Sequence, residues 1–183
     1  MLRNKLRSLS NSVPDESAHL FSLEISQKVL ALPEVRTATR FACFAALQTE
    51  VSLSLLFSKL TDKELFFPRF QNDHYVLSRI EAYPDGFQAG KYQIDEPDPT
   101  LPTISQNEAK TAIDIWLIPG LGFDRNMNRL GRGKGYYDQF LKDATGLKIG
   151  VGFDCQICES IPVDPWDIQM DHVITESLHL KAS

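Results

Sequence analysis

The chain has 183 residues and a net charge of −5, with 43% hydrophobic and 23% charged residues, which suits one domain burying roughly 70% of its unfolded surface. That composition excludes general disorder, and no window approaches the ~18 consecutive apolar residues of a membrane span. The acidic balance weighs against a nucleic-acid binder, the basic residues 1–7 lack the apolar stretch of a signal peptide, and three cysteines, Cys43, Cys155 and Cys158, point to free thiols in a reducing, cytoplasmic compartment.

Residues 2–9 read as a short helix that places Arg3 and Arg7, four apart, on one face. Ser12 reads as the next N-cap, with Pro14 in the first turn and Asp15 as a capping-box partner. Ala18, Phe21, Ile25, Val29 and Leu32 then recur at three- and four-residue spacing, the apolar face of an amphipathic helix that Pro33 stops. Residues 39–46 are apolar on both faces, as in a buried parallel strand. A helix over 51–60 follows, then a strand over 65–67 that ends at Pro68, and another over 75–80. The proline-rich stretch 83–102 reads as a surface connection with short ordered pieces. Residues 113–118 give the clearest strand, and 120–135 a glycine-punctuated loop. A helix over 136–144 is capped by Gly146, and strands over 147–153 and 171–175 close the chain. Strands alternating with helices indicate an α/β fold with a mostly parallel sheet. No repeat or linker divides it, so one domain over 1–183 is expected.

The loop carries the chemistry. It leaves a buried strand and enters a helix, the place where open α/β sheets gather ligands. Gly131, Gly133 and Gly135 alternate with Arg132 and Lys134. Glycine lets the backbone approach a ligand closely, amides at Tyr136 and Tyr137 favour an anion, and the two cations suit phosphate. The spacing fits neither a Walker A loop nor a dinucleotide fingerprint. Two readings stand: a polyanion cradle, or a structural glycine turn. Asp138 has two readings as well, a first-turn charge against the helix dipole or a Mg²⁺ ligand beside phosphates. Asp167 is a candidate second carboxylate, or a solvated loop residue.

From Pro119 to Asp124 and from Arg129 to Asp138, the loop resembles the signature of the 5-formyltetrahydrofolate cyclo-ligase (5,10-methenyltetrahydrofolate synthetase) family. Weaker likenesses follow in the family's order: Arg3 to Arg7, Leu47 to Glu50, Phe67 to Phe70, Tyr92 to Pro97, and Pro162 to Asp171. The resemblance implies a three-layer α/β fold related to sugar-phosphate isomerases and CoA transferases. It also implies ATP- and Mg²⁺-dependent closure of 5-formyltetrahydrofolate to 5,10-methenyltetrahydrofolate, with ADP and phosphate released. By position, Arg3, Arg7, Arg129, Leu130, Gly131, Arg132, Gly133, Lys134, Gly135, Tyr136 and Tyr137 would bind ATP. Arg7, Ala45, Glu50, Phe70, Tyr92, Arg132, Gly133, Lys134, Gly135 and Tyr136 would face the folate. Lys134 and Arg132 would stabilise the moving phosphoryl charge, and Asp138 and Asp167 would hold Mg²⁺. Four positions depart from the family pattern: Arg3 replaces a common Lys, Leu53 a usual Thr, Met127 a frequent Gly, and Phe70 stands where Tyr also occurs. Asn126 and Asn128 tolerate the left-handed backbone and could rebuild the turn around Met127.

The implied partners are small molecules, a reduced folate and ATP, with no nucleic acid or membrane, in a monomer or weak homo-oligomer. His19, His74, His172 and His179 accompany no nucleophile, Trp116 reads as packing, and Cys155 and Cys158 lack companions for a metal. A sugar-phosphate isomerase or acyl-CoA transferase on a related fold would need a catalytic carboxylate and no ATP. An RNA-binding module would use the basic and aromatic residues of the loop.

Overall fold

A computed structural model describes residues 1–90, 95–133 and 135–182, the side chain of Tyr136 excepted. The helices are α1 (Leu2–Asn11), α2 (Asp15–Ala31), α3 (Pro33–Thr37), α4 (Ser54–Lys59), α5 (Gln106–Ala112) and α6 (Tyr136–Leu141). The main sheet contains β1 (Arg40–Ala42), β2 (Glu64–Gln71), β3 (His74–Ile80), β6 (Thr103–Ile104), β7 (Ile115–Pro119), β10 (Leu147–Val151), β12 (His172–Ile174) and β13 (His179–Lys181). Its order is β13-β12-β10-β7-β1-β2-β3-β6. The four central pairings are parallel and the outer three antiparallel. The chain is therefore α/β with a mostly parallel central sheet.

Strand alternation builds a core on each face of this sheet. Ile115 and Leu117 join Phe41, Phe67, Ile149 and the buried α2 residues Ile25 and Val29 on one face. Trp116 and Ile118 join Phe66, Val173 and the α5 and α6 residues Ala109, Phe140 and Leu141 on the other. Trp116 is packing, 1% exposed. Burial on both faces is why the central strands read as continuous apolar runs.

Several boundaries differ from the sequence reading. Ser12 caps the end of α1, its hydroxyl donating to Leu9 O, and α2 begins after Pro14 without a side-chain cap. β1 stops at Ala42, because the apolar residues beyond it turn away to wall a cavity. The helix over 51–60 contracts to α4, with Leu53 at its N-cap and buried in the core. β2 runs through Pro68 to Gln71 and forms a hairpin with β3. Phe66 O accepts from Cys43 N at 2.7 Å, so the backbone of Pro68 faces the same side, beyond the end of β1. The missing proline N–H removes no ladder bond there. α6 ends at Leu141, with Asp143 rather than Gly146 in the left-handed region at φ 65°. Gly146 serves close approach: a Cβ there would lie 2.3 Å from Ile113 O.

The stretch 83–102 contributes a hairpin of β4 (Phe87–Ala89) and β5 (Asp95–Pro97). The glycine loop is more ordered than the sequence suggested. β8 (Gly122–Asp124) pairs with β9 (Arg129–Leu130) and with β11 (Ile157–Cys158) in a small second sheet. Helix α1 docks on that sheet through Leu6, which packs with Leu130 and Ile161.

Candidate active site

A cavity of about 280 Å³ opens beyond the carboxyl ends of β1 and β7. Phe44 and Ala45 wall it after β1, and Pro119 and Gly120 after β7. The residues from Arg129 to Gly133 line one side, with Gly135, Tyr137 and Asp138. Glu50 enters from the segment after β1, and Asp164 and Asp167 from the loop before β12.

The loop's backbone explains its glycines. Gly133 has φ 90° and Gly135 φ 62°, the latter as the N-cap of α6, a region that favours glycine. Docking of α1 brings Arg3 to this loop, where its Nε donates to Gly131 O at 3.3 Å. Arg7 is exposed and does not line the cavity. The turn before Arg129 is built otherwise than expected: Met127 itself, not Asn126 or Asn128, is left-handed, at φ 65°.

Two of the loop's arginines are engaged by carboxylates. Arg129, its side chain 8% exposed, donates from Nη2 to Asp138 Oδ1 at 3.1 Å and from Nη1 to Pro119 O at 3.4 Å. Its guanidinium lies 5.2 Å from the centre of the Tyr137 ring. Arg129 thereby fixes Asp138 and Tyr137 in place. Arg132 donates from Nε at 3.1 Å and from Nη2 at 2.8 Å to Glu50 Oε1, across 82 residues of sequence. Glu50 Oε2 accepts from Leu47 N at 3.1 Å. Burial first, and then the Glu50 carboxylate, push the Tyr137 hydroxyl well above its usual range, with Arg129 opposing. Tyr137 therefore stays protonated throughout the working pH range.

The site is less basic than the loop sequence alone suggested. Among the described residues, three arginines and six carboxylates line the cavity. A polyphosphate entering so acidic a space needs a cation. No three metal-binding side chains stand together among the described residues, but Mg²⁺ takes only one or two carboxylates when phosphate oxygens complete its shell. Asp138 and Asp167 both line the cavity, where Asp138 Oδ1 accepts from Arg129 Nη2 and Asp167 Oδ2 accepts from Asp164 N at 2.7 Å.

The remaining expected residues fall outside the cavity or outside the description. Lys134, Tyr92 and the Tyr136 side chain lie outside the described residues. Phe70 does not line the cavity; its ring packs edge-on against Tyr75, 5.0 Å between centroids, and Tyr75 does line it. Sequence reasoning passed over Tyr75, Glu96 and Asp164. Glu96 is 9% exposed and accepts from Phe70 N at 3.2 Å. Arg69, 5% exposed, donates to Asp98 O at 3.2 Å and, like Glu96, pins the β5 segment to β2. A charged side chain at an inward strand position was the available signal.

Residues 1–176 match a family model described as the 5-formyltetrahydrofolate cyclo-ligase family. The 5-formyltetrahydrofolate cyclo-ligase of Mus musculus is 32% identical over 186 residues, covering 96% of this chain and 90% of the mouse protein. The NMR structure of 5,10-methenyltetrahydrofolate synthetase from Aquifex aeolicus superposes with a TM-score of 0.86 at 31% identity, covering 98% of this chain and 90% of that one. The corresponding Mycoplasma pneumoniae synthetase gives 0.75 at 25% identity, covering 96% of each chain.

Proposed function

The chain belongs to the 5-formyltetrahydrofolate cyclo-ligase family and is a ligase acting on 5-formyltetrahydrofolate; from that premise we propose that it makes 5,10-methenyltetrahydrofolate by spending ATP within this one cavity. The observation that carries the reading is the convergence of Glu50, Arg132 and Asp138 on one cavity at the carboxyl ends of the parallel strands.

A formamide oxygen is a poor leaving group. In the proposed reaction it attacks the γ-phosphorus of ATP, and ADP departs. N10 then attacks the activated formyl carbon and loses its proton to solvent, and phosphate leaves as the N5–C–N10 unit becomes a delocalised amidinium cation. Phosphoryl transfer of this kind asks mostly for positioning and charge stabilisation. Arg3 and the backbone of residues 129–135 seat the phosphates, and Arg132 with Lys134 stabilises the transferring group. The Glu50 carboxylate accepts from the N–H groups of the pterin, beside the apolar wall of Phe44, Leu47 and Pro68. The protonated Tyr137 remains a donor. Asp138 and Asp167 would hold Mg²⁺, which supplies charge neutralisation on the phosphates. All three cysteines are free, which suits a reducing compartment such as the cytoplasm.

The test is to mix the protein with Mg·ATP and 5-formyltetrahydrofolate and follow the near-ultraviolet absorbance of the methenyl product, omitting each component in turn. Absorbance should rise only in the complete mixture. Turnover without ATP would overturn the reading.

A further inference from the structure

Arg132 and Glu50 satisfy each other. Both bonds from Arg132 go to the one oxygen Glu50 Oε1, and the Glu50 side chain is only 10% exposed. Yet in the reading above the two residues serve different ligands: the guanidinium suits phosphate, and the enclosed carboxylate suits the N–H donors of the pterin. Each ligand arriving alone must therefore separate the pair. A triphosphate that draws Arg132 away leaves a nearly buried carboxylate unpaired, which is strongly unfavourable. A pterin that takes Glu50 releases the guanidinium from the ion pair to solvent, its side chain being 37% exposed. When both ligands are present, the pair is broken once and both halves are satisfied.

We infer that the Arg132–Glu50 ion pair couples the two substrates, so that nucleotide and folate each strengthen the other's binding. The inference rests on the proposed assignment of phosphate to Arg132 and pterin to Glu50. The surroundings favour it. Arg132 sits on the short irregular segment between β9 and α6, flanked by Gly131 and Gly133, and its side chain is 37% exposed. It can swing without dislodging a strand. Glu50 cannot follow it, because its other oxygen is tied to Leu47 N. The linkage is reciprocal: the factor by which nucleotide tightens folate must equal the factor by which folate tightens nucleotide.

Isothermal titration of the whole chain tests this, with adenylyl imidodiphosphate plus Mg²⁺ as the non-transferring nucleotide and 5-formyltetrahydrofolate as the second ligand. In the unaltered protein the folate Kd should fall at least about tenfold when the nucleotide is present, equivalent to about 1.4 kcal/mol, and the nucleotide Kd should fall by the same factor in folate. Arg132→Gln should reduce that factor below about twofold. It should also bind folate alone more tightly than the unaltered protein does, since Glu50 no longer has to be pulled from a partner. Glu50→Gln should abolish the coupling from the other side while weakening folate binding. Independent binding of the two ligands in the unaltered protein, or an intact tenfold factor in Arg132→Gln, would overturn the coupling while leaving the site assignment standing. If Glu50→Gln left folate binding unchanged, the assignment itself would fall, and the coupling with it.

Discussion

Asp124 is fully buried, and four N–H groups converge on its carboxylate. Asn126 N and Asn128 N donate to Oδ1 at 2.9 and 3.0 Å, and Asn128 Nδ2 and Ile161 N donate to Oδ2 at 3.0 and 2.8 Å. This is the knot that shapes the turn between β8 and β9 and so aims Arg129. It also accounts for Met127, whose left-handed backbone is stabilised by Met127 N donating to Asp124 O at 3.1 Å and by burial of its side chain. Asp124→Ala would strand four donors and should destabilise the protein by about 3 kcal/mol, lowering Tm by roughly 6–12 °C. A melting curve within a degree or two of the original would refute that role. At the same scale, Lys134→Ala should cut turnover roughly 10²–10³-fold, the loss expected when one charge-stabilising donor is removed. Near-normal steady-state turnover would end its assignment to the phosphoryl group.

The elements follow from apolar patterning wherever that pattern meets the sheet, and depart from it where the chain serves the cavity. Residues 41–47 are apolar throughout, yet only Phe41 and Ala42 of that run lie in β1, because Phe44, Ala45 and Leu47 face the cavity. The same logic lengthens β2: Pro68 punctuates the sequence but lies where its strand has no parallel neighbour to bond. Gly146 marks the opposite case, a residue selected by space. Its Cα lies so close to Ile113 O and Asp114 O that an added Cβ would meet them at 2.3 and 3.0 Å. Gly146→Ala should therefore push the start of β10 away from β7 and destabilise by about 3 kcal/mol. Hydrogen exchange should quicken first at Leu147 and Ile149; unchanged protection there would contradict the packing argument.

Across the whole molecule, distant segments are tied by titrating groups. Asp114 Oδ2 accepts from Thr39 N at 2.7 Å, Thr39 Oγ1 at 2.8 Å and Arg40 N at 2.9 Å, joining the approach to β7 to the start of β1. Burial pushes its carboxyl up, but these donors and the Arg40 charge outweigh it and hold the carboxyl below its usual range. Asp154 behaves alike: burial is outweighed by Ser177 and Thr175. A lowered carboxyl pKa contributes stability that is present above about pH 4 and lost as pH falls through the folded value. His172, lowered by burial and by its neighbour His179, 2.7 Å away between ring nitrogens, contributes stability present above about pH 6.5 and lost below it. Glu176, raised chiefly by burial, has the opposite sign and favours the fold at lower pH. Tm should thus decline first as His172 takes up a proton and again below about pH 4. Asp114→Asn should flatten the lower limb; an acid limb as steep as the original would show that Asp114 does not contribute to it.

Taken by itself, the sequence determined the local: the amphipathic face of α2, the two-faced apolar strands of a mostly parallel sheet, and the glycine-punctuated loop that borders the cavity. Those features depend on neighbours within a turn or two of chain, where spacing dictates geometry. Only the tertiary structure decided which charges meet. Glu50 and Arg132 are 82 residues apart, and Thr39 and Asp114 are 75 apart. Their pairing depends on strand order and on how far each strand runs, which arise from packing two cores at once on opposite faces of the sheet.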